Sequence, residues 1–317
     1  MSIDNNTLSD WPAIPFNKWQ GTAAAVHLYL QIIGKYRLAH TPWVNHSWHA
    51  TLYPTPRGLT SSLIADGDGG IEIQFDFVDH TVRGLCGNGS HGSFPLEPMS
   101  VADFHRRFIT LVTELGGNAE FHGRPNELPS NTRFVDDTEL RPYDADAVVR
   151  FHRAMKSISH VFQEFRTGFR GKVSPVHLFW GSFDLAVTRF SGRTAPLHPG
   201  GFPNLPDNVT QEAYSHEVSS AGFWAGGGPV EEAAFYSYAY PAPDGFADAT
   251  VEPAAAYFDK DFGEFVLTYD AVRTSTNPQA TLLAFLESTY EAAASLGGWD
   301  RSQDCERGRK GQPLPIP

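Results

Sequence analysis

Ser174-Pro175-Val176-His177-Leu178-Phe179-Trp180-Gly181 opens the stretch that decides the fold, and Phe183–Arg189, His216–Trp224 and Phe235–Tyr240 continue it. Short runs rich in aromatic and β-branched residues, bounded by Gly and Pro, read as strands. Alternation along the second run puts Ser182, Asp184 and Thr188 on one face with Trp180. Phe183, Leu185, Val187 and Arg189 take the other face. Tyr236, Tyr238 and Tyr240 likewise share one face. No other region holds so many candidate site residues.

Outward from this stretch the chain alternates between helices and strands. Downstream, Phe262–Val272 is expected to be a strand or strand pair with Phe265, Leu267 and Tyr269 on one face. Asn277 and Pro278 then start a helix as N-cap and first residue, with an apolar stripe of Leu282, Leu286, Thr289, Ala293 and Leu296. Upstream, Asp144–Thr167 reads as a long helix burying Val148, Phe151, Met155, Ile158, Phe162 and Phe165. Residues 118–143 lack periodicity, with one strand expected at Ala119–His122. Before them, a helix is expected over Lys18–Leu38, striped by Val26, Tyr29, Leu30 and Ile33, and strands over Trp43–Tyr53 and Leu59–Ala65. Ile71–Val78 alternates cleanly, as an antiparallel strand with one wet face does. Ser100 and Asp103 form an N-cap signature for a helix carrying Phe104, Phe108, Leu111 and Leu115.

Two of these features recur. Tyr53-Pro-x-Pro-x-Gly58 matches Tyr240-Pro-x-Pro-x-Gly245, and each is followed by a helix ending in Leu-Gly-Gly, at Leu115 and Leu296. The expected fold is α+β: internally duplicated helix–antiparallel sheet–helix units related by a pseudo-two-fold axis. The first unit is 11–125, with a connector at 126–143. The second is 144–300 and carries an insertion of about fifty residues. A loose leader (1–10) and a polar tail (301–317) flank them.

The 317 residues are 41% hydrophobic, enough for a large packed core. A formal charge of −12 argues against nucleic acid and anionic membrane surfaces as partners. The two cysteines, Cys86 and Cys305, form neither a disulfide framework nor a zinc spacing. The first ten residues lack the basic and apolar regions of a signal peptide, and Thr22–Ile33 is too short to span a bilayer. A cytoplasmic protein is expected, with its oligomeric state open.

The blocks Pro-Trp-x-Asn-His-Ser-Trp at 42–48, Gln-Ile-Ile-Gly-Lys-Tyr-Arg-Leu at 31–38 and His-Glu-Val-Ser-x-x-Gly-Phe-Trp at 216–224 carry a resemblance. With Phe183–Arg193 and Phe235–Pro241 they resemble a bacterial family of uncharacterised conserved proteins, defined by a domain of unknown function. The resemblance spans most of the chain and implies no reaction and no catalytic residues.

Function therefore has to be read from residue chemistry. His216 beside Glu217, with His177, offers acid–base groups or part of a metal site. His46 and His49 are the weaker metal candidates, since on a strand they point to opposite faces. Arg189 is a candidate anchor for an anionic group, against the alternative of a buried structural ion pair. Trp180, Asp184, Trp224, Tyr236 and Tyr238 are expected to contact a substrate. The leading expectation is a soluble enzyme acting on a small molecule, anionic ones included, with a divalent metal as one option for its chemistry. The alternative is a non-catalytic small-molecule or protein-binding module with an aromatic-walled pocket. The two differ in geometry: an enzyme of this kind needs several of His46, His49, His177, His216 and Glu217 to converge at a cavity.

Overall fold

A computed structural model describes residues 10–228 and 230–307, and the arrangement is mixed helix and antiparallel sheet. Helix α1 (Phe16–His40) is buried along most of its length because it is covered from several sides. It packs on strand β2, on helix α2 and on helix α3, whose ranges follow. The first sheet is a meander of β1 (Tyr53–Thr55), β2 (Gly58–Ile64), β3 (Ile71–Asp76), β4 (Thr81–Cys86) and β5 (His91–Pro95). Ile71, Ile73 and Phe75 are buried while Glu72 and Gln74 are not, as the alternation required. Helix α2 (Val101–Glu114) begins at Ser100, whose hydroxyl accepts from the Asp103 amide at 3.0 Å and donates to the Asp103 carboxylate. That reciprocal bond satisfies a helix-end donor that would otherwise be orphaned.

Helix α3 (Ala145–Arg166) is capped by Asp144 and buries the whole expected stripe from Val148 to Phe165. The second sheet contains β6 (His177–Phe179), β7 (Asp184–Thr194), β8 (His216–Trp224), β9 (Ala234–Tyr240), β10 (Tyr257–Asp259) and β11 (Glu264–Thr268). Its spatial order is β10-β11-β9-β8-β7-β6, and every neighbouring pair is antiparallel. Helix α4 (Asp207–Ala213) lies in the long connection from β7 to β8. Helices α5 (Tyr269–Arg273) and α6 (Pro278–Leu296) follow β11, α6 starting at the N-cap Asn277 with Pro278 next, and a 3-10 turn at Arg301–Gln303 comes after them. Leu52 and Leu178 exchange backbone hydrogen bonds of 3.0 and 2.8 Å, which joins the two sheets at the β1 and β6 edges.

Several local expectations are overturned. Trp43–Tyr53 is not a strand: His46 and Ser47 have φ of 59° and 57°, the left-handed region, and Asn45–Ser47 forms a single 3-10 turn. The His46 amide donates to the Glu212 carboxylate at 2.8 Å, a tertiary bond that a β-ladder would have pre-empted. Ala119–His122 pairs with no strand. The strand expected at Phe262–Val272 ends at Thr268, whose side chain caps α5 by accepting from the Ala271 amide at 3.3 Å. The two Tyr-Pro-x-Pro-x-Gly runs occupy different places, one joining β1 to β2 and the other leading out of β9. The start of the expected polar tail is docked, since Tyr290 donates to Asp304 at 2.6 Å and Arg301 pairs with Glu291 and Asp304. Its remainder, 308–317, and residues 1–9 of the expected leader lie outside the described residues.

Candidate functional site

The register of the second sheet sorts its side chains into two populations. Asp184, Ala186, Thr188 and Phe190 on β7 lie opposite Trp224, Gly222, Ser220 and Val218 on β8. Tyr236 and Tyr238 on β9 lie opposite Gly222 and Ser220, and Val266 opposite Tyr236 puts Glu264 on the same side. This is the wet face. The other face presents Leu185, Val187, Phe223, Phe235, Phe265 and Leu267, all buried, towards α3 and α6.

Over the wet face lies a cavity of about 860 Å³. Its roof comes from α1, the 43–50 segment, the 118–143 connector, the loop before α4 and α4 itself. Trp48, Trp180 and Trp224 supply apolar walls. Close approach at two glycines makes this possible. A Cβ on Gly34 would sit 2.2 Å from the Trp180 ring, and one on Gly222 would sit 2.2 Å from the Tyr236 hydroxyl.

Four ionisable side chains from four segments face this space: Lys35 (α1), Glu127 (connector), Asp184 (β7) and Glu264 (β11). Asp184 is 5% exposed, and its carboxyl accepts from the Tyr236 and Ser182 hydroxyls. Burial raises its pKa above the ordinary carboxylate value despite those bonds. Glu127 has a left-handed backbone (φ 60°), held by its amide donating to the Pro203 carbonyl at 2.8 Å. Its carboxyl lies against the Cα of Gly181, where a Cβ would overlap it. Burial, reinforced by Asp184, pushes its pKa up to about 7. Burial, with Asp184 and Asp259, pushes Glu264 up to about 8, and its Oε2 is buried with no hydrogen-bond partner among the described residues.

Lys35 is 3% exposed. Its Nζ donates to Asn126 Oδ1, lies 3.3 Å from His122 Nδ1 and sits 5.6 Å from the Trp180 ring centre. Burial lowers its pKa to about 8, with Glu127 acting in the opposite sense. Asn126 is itself pinned to α1: its amide donates to Gln31 Oε1 and its carbonyl accepts from Gln31 Nε2, both at 2.8 Å. Around the acids, Tyr214 bonds Tyr238 and Thr188 bonds Ser220, each at 2.8 Å. Groups able to give or take a proton near neutral pH are thus gathered around one cavity, the arrangement by which active sites are recognised.

Trp180, Asp184, Trp224, Tyr236 and Tyr238 all line the cavity. His46 also reaches its wall, but its ring is committed: Nδ1 bonds the Ala213 carbonyl at 2.8 Å and Nε2 meets Lys172 Nζ at 2.5 Å. His49 turns back onto Val44, with Nδ1 3.1 Å from its carbonyl. Among the described residues no group of three His, Cys, Asp or Glu is placed to hold a metal ion. His177 is fully buried between Trp48, Tyr53 and Phe179, with neither nitrogen bonded among the described residues, and burial holds its pKa down to about 3. His216 bonds Ser215 at 3.1 Å and lies 6.1 Å from the His46 ring, ring centre to ring centre. Glu217 is on the opposite side of β8, paired with Arg193 at 2.6 Å and bonded by Ser191 at 2.9 Å.

Arg189 points away from the cavity. It is 1% exposed, lies between the rings of Phe165 and Tyr290 at 3.6 and 4.2 Å, and donates to the Phe165 carbonyl. His46, His49, His177, His216 and Glu217 therefore do not gather at the cavity, whereas Lys35, Glu127 and Glu264, which sequence reasoning missed, line it. Lys35 left a trace in the sequence, as a charge inside the apolar run Ile32-Ile33-Gly34-Lys35-Tyr36. Glu127 and Glu264 left none, since both sit where exposed acids are ordinary.

The family model described as Family of unknown function (DUF5996) matches residues 11–305, and the chain belongs to that family. No curated protein and no solved structure matches it. No helix among the described residues is long and apolar enough to cross a membrane.

Proposed function

We propose that this family member is an enzyme of acid–base chemistry on a small organic molecule, and that the cavity over the second sheet is its site. One observation carries the reading: three carboxyls and a lysine, drawn from four separate segments, face one aromatic-walled cavity. Folding brings such groups together against the cost of burying them, a cost that structure alone gives no reason to meet. The acid–base groups of this reading are Glu127, Asp184 and Glu264 rather than His216 and Glu217. Lys35 is the one cation among the cavity's acid–base groups, and its pKa is lowered to about 8, so little there attracts an anion; the substrate is an uncharged or cationic molecule with an apolar body resting on Trp48, Trp180 and Trp224. The aromatic walls also suit a non-catalytic binding module, and turnover separates the two.

Thermal-shift screening against small uncharged, cationic and anionic molecules tests this reading, with Ala186→Phe filling the cavity as the control. Ligands of the first two kinds are expected to raise the wild-type Tm and leave the filled variant unmoved. A ligand at 100 times its Kd adds about 2.7 kcal/mol. Hits that persist in Ala186→Phe, or a preference for anions, would sink the proposal.

The element order in each half, helix–antiparallel sheet–helix, together with the Leu52–Leu178 bridge beside the first strand of each, supports descent of both halves from one duplicated unit. On that reading the β7–β8 connection carrying α4 is the addition that roofs the cavity.

A further inference from the structure

We propose that Lys35 is a nucleophile that captures a small aldehyde or ketone as a Schiff base, with Glu127 as its acid–base partner. The inference rests on the cavity being the functional site and adds the substrate class.

A lysine is almost never this deeply buried without a carboxylate to neutralise it. Among the described residues no ion pair holds Lys35; its Nζ meets the neutral acceptors Asn126 Oδ1 and His122 Nδ1 instead. Two acceptors leave one position of the amine without a protein partner, on a side chain that lines the cavity. Burial favours the uncharged amine, the form that attacks carbonyls, and outweighs the pull of the Trp180 ring on a cation. A pKa lowered to about 8 agrees with this. The Glu127 carboxyl has no hydrogen-bond donor among the described residues and faces the same space, so it is free to shuttle protons. Asn126 and Glu127 are adjacent in the chain, and Gln31, one helical turn before Lys35, holds Asn126 in place.

The chemistry balances without an outside reagent. The Lys35 nitrogen forms a bond to the carbonyl carbon as the π pair moves to oxygen, which takes the proton of neutral Glu127. The new ammonium returns a proton to Glu127. Glu127 then protonates the hydroxyl, which leaves as water as the nitrogen lone pair forms the C=N bond. The products are water, an iminium cation and the Glu127 carboxylate, with the acids Asp184 and Glu264 facing the new charge.

The test treats the full chain with benzaldehyde, butanal and cyclohexanone, each with cyanoborohydride at pH 7, and maps adducts by peptide mass spectrometry. Lys35 is expected to be reduced onto the carbonyl at least tenfold faster than Lys18, Lys156, Lys172 or Lys260. Its rate should climb towards pH 8. Glu127→Gln should slow Lys35 at least tenfold and leave the other lysines unchanged. The wild-type map needs no variant, so misfolding of a mutant cannot hide the answer. Uniform labelling, or Lys35 left unmodified, overturns the assignment. If cavity ligands still raise Tm in that case, the cavity reading stands alone; if none do, both fall.

Discussion

Each sheet buries one aspartate, and the two are treated in opposite ways. Asp76 ends β3 at 2% exposure, and Asp184 begins β7 at 5%. Burial pushes both towards the neutral acid. At Asp76 that push is overcome: Arg57 bonds it at 2.7 Å, Arg83 lies 3.4 Å away, and the Val78 and Asp79 amides each donate at 2.9 Å. Its pKa falls below the usual value. Asp184 accepts from two hydroxyls and its own amide and has no cation among the described residues, so burial prevails and its pKa rises. A carboxylate that serves the fold is neutralised and capped, while one left short of partners beside a cavity marks a place where something else is meant to bind.

The largest test of that contrast is stability. Asp76→Ala strips the turn of its cap and Arg57 of its partner, and should cost about 2–3 kcal/mol in urea denaturation. Asp184→Asn keeps the shape and removes a charge that is disfavoured there, so its loss should stay below about 1 kcal/mol. Equal losses would erase the distinction between the two sites.

The pH dependence sharpens it further. Glu127 and Glu264 hold their protons in the folded state up to about 7 and about 8, where the unfolded chain has released them. Their contribution is fully present below the usual carboxylate value and is lost as pH rises through 7 and 8. Asp76 has the opposite sign: its contribution is present above the usual value and is lost as pH falls through its depressed folded pKa. Buried histidines such as His27 and His177, lowered to about 4 and about 3, act in the opposite sense below their ordinary value, so the decline is expected in denaturation midpoints between about pH 7 and 8, and Glu127→Gln with Glu264→Gln should flatten it. A flat wild-type profile would show that the cavity acids are not perturbed.

The smallest expected effect is at His177, buried with neither nitrogen bonded among the described residues. His177→Leu should raise stability by about 1 kcal/mol, because an unsatisfied polar group is replaced by an apolar one of similar size. A clear loss of stability, or of ligand binding, would return His177 to the list of functional residues.

The sequence by itself determined the helices and most strands. The stripe of α3, the Ser100 cap and the alternation of β3 depend on neighbours within a few residues, and periodicity reports those neighbours directly. It also placed Asp184 on the face opposite Arg189 and grouped Tyr236 with Tyr238, since a strand alternates whatever its surroundings. Only the tertiary structure decided which face was wet, and that Arg189 belonged to the dry one between Phe165 and Tyr290. It alone turned Asn45–Ser47 back on itself, through the bond from His46 to Glu212, 166 residues away. It alone assembled the site. Lys35, Glu127, Asp184 and Glu264 are far apart in the chain, and their shifted proton affinities come from shared burial, which no local pattern encodes.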